Sequence, residues 1–242
     1  MEMVRARVLA FSISLAGGAV MVVSPTQLIA QNADMMQKLM EIKQASAANK
    51  QALAKLTWQE QEAISLKGEV KKTTIYQVSI GPDGSQQKVE LSSTPAAAPP
   101  SGGKFKQRII AKKKEEYQLY GEQMAALAKQ YSTPDPQAMQ QAYQKGNISI
   151  QLGGGPGVVS LVFKNYLKPG DSMTLMFNHE AKAIQAINVS TYLSDPSDAM
   201  TESVQFAKLP SGVNHVASVQ INGVSKQLGV AITNSNYQPK SM

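Results

Sequence analysis

Two histidines are the side chains of this sequence that most readily suggest acid–base or metal chemistry. His179 stands next to Glu180, and a histidine beside a carboxylate could begin a metal site or an acid–base pair, or form an exposed turn. His215 falls among apolar residues, where it could be a proton switch or a partly buried structural histidine. The chain has no cysteine, which excludes thiolate metal sites and iron–sulfur clusters. We predict no metal and no other cofactor.

A glycine-rich run from Gly153 to Gly157 invites comparison with loops that bind phosphate. Those loops follow a strand and open a helix, so that backbone N–H groups and the helix dipole face the phosphate. Here the residues from Val158 to Phe163 read as a strand, which favours a turn between strands. The sequence has no Gly-x-Ser-x-Gly elbow, and Asp195 and Asp198 are typical turn residues. We therefore predict no catalytic residue and a protein that is not an enzyme.

A basic run is the strongest charge feature of the sequence. Six cations fall within eleven residues: Lys104, Lys106, Arg108, Lys112, Lys113 and Lys114. They could contact anionic lipid headgroups, lipopolysaccharide or another anionic polymer. They could equally be the solvated face of a helix, in which Lys112 pairs with Glu116 one turn later. Nucleic acid is not an expected partner, because aromatic residues make up only 6% of the chain and form no stacking platform here.

Two apolar stripes at helical spacing are candidates for a ligand-binding lid. One includes Met35 and Leu39, and the other includes Tyr117, Tyr120, Met124 and Leu127. Tyrosine and methionine tolerate repacking, which suits a surface that exchanges one apolar partner for another. The alternative is that these residues are ordinary core.

The stripes predict helices over 32–56 and 105–131, and a third, shorter helix that ends at Lys145 with Gly146 as its cap. Lys113 is the one break in the second stripe. From Trp58 the period becomes two and continues to Ile80. Gly81-Pro82-Asp83-Gly84 then predicts a tight turn and a return strand over 86–91. We expect Tyr76 opposite Val89 and Thr74 opposite Leu91, whereas a three-residue turn with a glycine bulge would shift the register by one.

The sequence after Asn147 alternates with turn signals and predicts an antiparallel meander. The predicted strands are 147–152, 157–166, 172–179, 183–193, 200–209, 213–221 and 224–233. Asn222-Gly223 is a preferred two-residue hairpin turn and would pair Ile221 with Val224 and Val219 with Lys226. One face of this sheet would be apolar, and the amphipathic helices are available to cover it.

The first thirty residues have the layout of a signal peptide. Arg5 and Arg7 precede an uncharged run from Val8 to Val23, which is shorter than the ~20 residues of a membrane-spanning helix. We expect cleavage after Ala30 and a periplasmic or secreted protein with no transmembrane span after cleavage; an uncleaved anchor is the alternative.

The mature part of the chain is long enough for one large domain. The 242 residues carry a formal net charge of +7 and are 43% hydrophobic, which is enough to bury a core. We expect a signal peptide over 1–30 and a single α+β domain over 31–242. Its 92–103 segment, rich in proline, alanine and glycine, is expected to be a flexible loop.

Several stretches resemble a group of exported bacterial proteins. They are Lys67-Gly68-Glu69-Val70-Lys71-Lys72, Tyr76-Gln77-Val78 with the turn that follows, and the closing Asn-Ser-Asn-Tyr at 234–237. At the level of architecture, residues 32–237 are similar to the periplasmic lipoprotein-sorting carriers and related sensors of envelope stress. This resemblance implies a curved antiparallel half-barrel whose concave apolar face is closed by helices and binds acyl chains or partner proteins. It identifies no functional residue, and the helical segment from Lys104 to Lys145 departs from the carriers' element order.

These observations predict an α+β fold: a curled antiparallel sheet, half-barrel-like, with amphipathic helices covering one face. The function that we expect is that of a non-catalytic carrier or sensor of an apolar ligand such as a lipid, an acyl chain or an acylated protein. The alternative is an envelope interaction or structural protein that uses the basic 104–114 segment against an anionic surface and has no small ligand.

Overall fold

The fold is that of a ten-stranded antiparallel sheet, curled but not closed, and three helices. It was analysed in a computed structural model that describes residues 25–94, 104–132, 136–153 and 155–240. Within the first helix it describes the side chain at 37 and those from 40 onwards, and within the second those from 107 onwards. The predicted α+β class and curled antiparallel sheet are confirmed.

Along the described chain, one helix is followed by three strands, then by two helices and then by seven strands. The helices are α1 (Pro25–Leu53), α2 (Lys104–Ser132) and α3 (Pro136–Gln144). The strands are β1 (Leu56–Leu66), β2 (Glu69–Ile80), β3 (Gln86–Ser93), β4 (Ile148–Leu152), β5 (Val158–Lys164), β6 (Ser172–Asn178), β7 (Ala183–Tyr192), β8 (Ala199–Lys208), β9 (Asn214–Gly223) and β10 (Leu228–Pro239).

One pairing joins the two halves of the chain into a single sheet. Strands β4 to β10 form a meander in chain order, and β1 pairs antiparallel with β10, which places β2 and β3 beyond it. The register sets Ile64 opposite Val230 and Leu66 opposite Leu228. These are apolar residues on one face of both strands, so their burial against the same helix favours this register.

The period-two run from Trp58 to Ile80 is two strands rather than one. Lys67 and Gly68 form the turn between β1 and β2, with φ of 54° and 81°. A two-residue turn alone would transfer the apolar face from even-numbered residues in β1 to odd-numbered residues in β2. The register shift after Val70 leaves Lys71 unpaired and returns the apolar face to even-numbered residues. The alternation of apolar and polar residues is therefore continuous from β1 to β2, and it gives no sign of the turn between them.

The expected register of the next hairpin is wrong. Tyr76 lies opposite Glu90, one residue from the expected Val89. A further register shift between Ile75 and Tyr76 sets Thr74 opposite Ser93, two residues from the expected Leu91. The turn is the three-residue type, because Gly81 bonds to Ser85 and Gly84 has a φ of 78°. As a result Val89 points away from the helices and is 64% exposed on the edge strand.

The last hairpin also differs from its prediction. Asn222 and Gly223 belong to β9, the chain reverses over 224–227, and Ile221 pairs with Val230 rather than with Val224. Tertiary packing explains this difference, because a Cβ atom at position 223 would lie 2.5 Å from Tyr120 Oη and 2.7 Å from Met124 Sδ of α2. The glycine is therefore needed for the close approach of a helix, and not for a turn.

We expect Gly223→Ala to lower the free energy of unfolding by about 2 kcal/mol, because the added methyl group overpacks the contact with α2. Asn222→Ala is the control: Asn222 is exposed in β9, so its replacement should change stability by less than about 0.5 kcal/mol. Urea denaturation measures both variants. Equal losses would indicate that both residues form a turn and would contradict the register of β9 and β10.

The predicted helices are present with changed ends. Helix α1 begins at Pro25, upstream of the predicted cleavage point, and ends at Leu53 because Leu56 already belongs to β1. Helix α2 matches its prediction to within one residue, and Gly146 follows α3 with a φ of 69°. Residues 1–24, most of the predicted signal peptide, and 95–103, most of the predicted loop, lie outside the described residues. Among the helices that are described, none has the length and the apolar character needed to cross a membrane.

Candidate functional site

The helices cover one face of the sheet, here called the inner face, and two apolar clusters fill the space between. The larger cluster lies beneath α1, α3 and the C-terminal end of α2, where Tyr131 and Met139 pack with Leu161, Phe163 and Leu175. The smaller cluster lies beneath the middle of α2. Because α2 contributes to both clusters, its movement would uncover part of each.

The structure brings together the lid residues that were predicted on α2. Tyr120 and Met124 are buried, Leu127 packs against both clusters, and Tyr117 is half-buried. Their partners on the inner face include Met200, Ile221 and Leu228. The side chains of Met35 and Leu39, predicted on α1, lie outside the described residues.

The inner face is filled by the protein's own side chains in this form. Two shallow depressions, of about 180 and 300 Å³, open at the surface of the described chain. The first is bordered by Ile184, Phe206 and Asn214, and the second by Ser65, Asn222 and Gln227; α2 lines neither of them. A ligand bound beneath α2 would therefore replace side chains of this helix.

Polar contacts hold α2 at the rim of the apolar contact. Tyr120 donates a hydrogen bond to Asp198 Oδ1 at 2.9 Å, and Ser225 donates to the same oxygen at 2.6 Å. Burial raises the pKa of Tyr120, so that its phenol stays a neutral donor. One turn earlier, Glu116 forms an ion pair with Lys226 in the loop between β9 and β10. These bonds fix the middle of α2 to the ends of three strands.

A buried network holds the C-terminal end of α2. The Tyr131 hydroxyl donates to Asp171 Oδ2 at 2.5 Å and lies 2.9 Å from Thr191 Oγ1. The Asp171 carboxylate also accepts the backbone N–H groups of Tyr166, Leu167 and Lys168 at 2.5, 3.0 and 3.1 Å. One carboxylate therefore closes the loop between β5 and β6 and anchors the helix to it.

Glu202 is a second buried carboxyl group at the C-terminal end of α2, in addition to Asp171. It is 2% exposed, accepts one hydrogen bond from Ser132 at 3.1 Å through Oε1, and its Oε2 has no described partner. Its cross-strand neighbours are Val189 and Ile221, which are apolar. Burial in these surroundings raises the pKa of Glu202 to about 7 from its ordinary value of 4.5. A carboxyl group that resists ionisation thus lies in the contact between α2 and the sheet.

The predicted basic run lies on the first part of α2. Arg108, Lys112, Lys113 and Lys114 are exposed, whereas the side chains of Lys104 and Lys106 lie outside the described residues. The expected pairing partner of Lys112, Glu116, is instead bound to Lys226. The run and the apolar lid therefore occupy successive parts of one helix.

The remaining candidates for chemistry stay apart. His179 is exposed beside Glu180, and His215 is buried with its ring centroid 4.3 Å from that of Tyr237. No group of three potential metal-ligating side chains occurs among the described residues. The described part of the Gly153–Gly157 run leads from β4 directly into β5, as expected of a turn between strands.

The sequence did not lead us to select three carboxylates that bond to α2 directly: Asp171, Asp198 and Glu202. Glu202 had a detectable signal, because it alternates in phase with Met200 and Val204 on a predicted apolar face. Asp171 had a weaker signal, since the Lys-Pro-Gly-Asp turn that contains it shows nothing of the helix that it bonds.

Comparisons with known proteins show a structural likeness. No protein-family description matches the chain, and no curated protein matches it. The fold is similar to a solved structure of a DUF1329 family protein from Desulfovibrio piger, with a TM-score of 0.41 and 10% sequence identity. That likeness covers 85% of this chain and 93% of the other.

Proposed function

We propose that this chain is an exported, non-catalytic carrier or sensor of an apolar ligand, such as an acyl chain, that binds on the inner face in place of α2. The observation that carries the proposal is the contact between α2 and the sheet. That contact is apolar at its centre and bonded at its rim, and it includes a buried carboxyl group with an oxygen lacking a described partner.

If a ligand is to replace α2, the apolar surface of the sheet must pack well against the helix and also against the ligand. Met124 and Met200 meet at the centre of the contact, and methionine adapts to partners of different shape. An acyl chain placed along β8, β9 and β10 would contact Met200, Ile221 and Leu228, which Tyr120 and Met124 now cover. The ligand would then recover the apolar burial that is lost when α2 lifts.

Glu202, whose Oε2 has no described partner, favours such an exchange energetically. Burying a carboxyl group with incomplete hydrogen bonding is unfavourable, so this contact is less stable than a wholly apolar one of the same area. Elements that move in function come from the less stable parts of a protein. The proposal therefore assigns Glu202 the role of limiting the stability of the closed form.

A disulfide lock tests the proposal in a chain that has no cysteine of its own. A Cβ atom at Gly121 would lie 3.4 Å from Leu228 Cδ2, so Gly121→Cys with Leu228→Cys would link α2 to β10. We expect the oxidised variant to bind cis-parinaric acid, a fluorescent fatty acid, at least about tenfold more weakly than the same variant after reduction. Fluorescence titration measures both forms.

The control lock lies on the opposite face of the sheet. Asn188 and Ser203 lie opposite each other on β7 and β8, and their side chains are hydrogen-bonded at 2.9 Å. Asn188→Cys with Ser203→Cys should therefore oxidise without changing fatty-acid binding. Equal binding by the oxidised and reduced α2 lock would disprove lid exchange. Failure of the unlocked wild-type chain to bind the fatty acid would disprove the carrier.

A further inference from the structure

The first part of α2 has a feature that the lid does not explain. Residues 107–115, here called the basic arm, are exposed except for Ile110, which is half-buried. Among the described side chains, the first on α2 to bond to the sheet is Glu116, through Lys226. The break that Lys113 makes in the apolar stripe therefore falls before the helix reaches the sheet, where no apolar partner is required.

The arm combines positive charge with exposed apolar groups. Arg108, Lys112, Lys113 and Lys114 are all exposed, and none forms an ion pair with another described residue. Two carboxylates follow, Glu115 and Glu116, and Glu116 is bound to Lys226, so the four cations of the arm outnumber the nearby negative charges. The field of the arm is consequently positive and favours an anionic partner.

Helical spacing places apolar and basic groups together. Ile109, Lys112 and Leu119 are separated by three and seven residues, and Arg108 lies one turn before Lys112, so all four lie towards one side of α2. Ile109 is 44% exposed and Leu119 is 56% exposed. A soluble anionic polymer can be held by the cations alone, whereas a bilayer binds the charges through its headgroups and the apolar side chains below them.

We infer that the basic arm binds the surface of an anionic phospholipid bilayer, with the cations at the headgroups and Ile109 and Leu119 at the acyl boundary. This inference is separate from lid exchange, because the arm residues do not line the contact between α2 and the inner face. It gives the protein a surface at which an apolar ligand is available.

Vesicle flotation of the full chain tests the inference. We expect binding to vesicles of phosphatidylcholine mixed with phosphatidylglycerol and little binding to phosphatidylcholine alone. Each cation near such a surface contributes about fivefold in binding. The triple variant Arg108→Gln, Lys112→Gln and Lys113→Gln should therefore partition about 100-fold more weakly than the wild type.

A matched variant controls for loss of net charge. Lys55, Lys145 and Lys164 are exposed at other places in the fold, and replacing all three by glutamine removes the same charge. This control should keep most of the vesicle binding, and circular dichroism should show the wild-type spectrum for both triple variants. Equal loss of binding in the two variants, or no loss in the arm variant, would overturn the inference.

A second variant distinguishes a bilayer from a soluble anionic polymer. Ile109→Gln with Leu119→Gln keeps every charge and good helix formers, and should weaken vesicle binding about tenfold or more while leaving binding to dextran sulfate unchanged. Unchanged vesicle binding by this variant would show that charge alone acts, and would overturn the assignment to a bilayer. The oxidised α2 lock should still bind vesicles, so failure of the carrier and failure of this surface are distinguishable.

Discussion

Replacement of Asp171 by alanine is expected to lower the free energy of unfolding by about 4 kcal/mol, one of the two largest effects expected of any single substitution described here. The Asp171 carboxylate is 2% exposed and accepts four hydrogen bonds, three from backbone N–H groups and one from the Tyr131 hydroxyl. Truncation leaves these donors without their acceptor, and two of them, the Tyr131 hydroxyl and the Tyr166 N–H, are buried. The loss arises from unpaired donors rather than from lost apolar packing.

Tyr131→Phe separates the contribution of the helix from that of the loop. It removes one donor and leaves the three backbone bonds to Asp171 intact, so we expect a smaller loss of about 1–2 kcal/mol. Thr191 also loses its neighbour at 2.9 Å in this variant. Urea denaturation followed by circular dichroism measures both losses.

Asp195 provides the matched control for Asp171. It caps a turn in a similar way, accepting the Ser197 backbone N–H at 2.8 Å, but it is exposed to solvent. Asp195→Ala should cost less than about 1 kcal/mol, because water replaces the lost acceptor. If Asp171→Ala were no more harmful than Asp195→Ala, the buried network would not be anchoring the loop and α2.

The sequence sufficed to predict those elements whose signal is local. Helix α2 was predicted to within one residue because its apolar residues recur at helical spacing, with the one break at Lys113. The curled sheet followed from alternation and turn signals, and Gly146 was identified as a cap from its position after α3. In each case the residues that determine the element lie within it.

The turns that were missed or predicted wrongly from the sequence depend on contacts between residues that are far apart in the chain. Asn222-Gly223 has the composition of a tight turn, yet Gly223 serves the approach of Tyr120 and Met124, about a hundred positions earlier in the chain. The turn at Lys67-Gly68 was hidden because a bulge restored the alternation that the turn had shifted. Local propensity was outweighed at both places by packing or pairing that no single segment displays.

The residues of the candidate site are likewise of two kinds: those that the sequence could indicate and those that it could not. Tyr120, Met124 and Leu127 could be selected because they lie on one helical stripe, and the exposed cations because they form a run. The acceptors that hold α2, Asp171 and Asp198, lie in loops 40 and 78 residues away from the tyrosines that they bind. Sequence spacing indicates nothing of such pairs.

The second large effect is expected at Glu202, and it depends on pH. Its pKa is raised from 4.5 to about 7 in the folded protein by burial, so between these values the folded state binds a proton that the unfolded state has released. The stability that this group contributes is present below pH 4.5 and is lost as the pH rises through 7. The total change corresponds to about 3 kcal/mol.

Glu202→Gln removes this titration with little change in size. The difference in unfolding free energy between variant and wild type should therefore move in favour of the variant by about 3 kcal/mol between pH 4.5 and 8, whatever its value at low pH. Urea denaturation of both proteins across this range measures it. Glu122→Gln, which replaces an exposed glutamate of α2 in the same way, is the control for the substitution itself.

Hydrogen exchange can show which parts of the protein lose stability when Glu202 ionises. Ionised Glu202 would lie without a counter-ion near Ser132, at the C-terminal end of α2, where the helix dipole is also negative. At pH 8 the amides of α2 should therefore exchange faster in the wild type than in Glu202→Gln, while those of β5 and β6 exchange alike in both. A pH-independent stability difference, or equal exchange in α2, would mean that Glu202 is satisfied in the folded state and does not limit how firmly the helix is held.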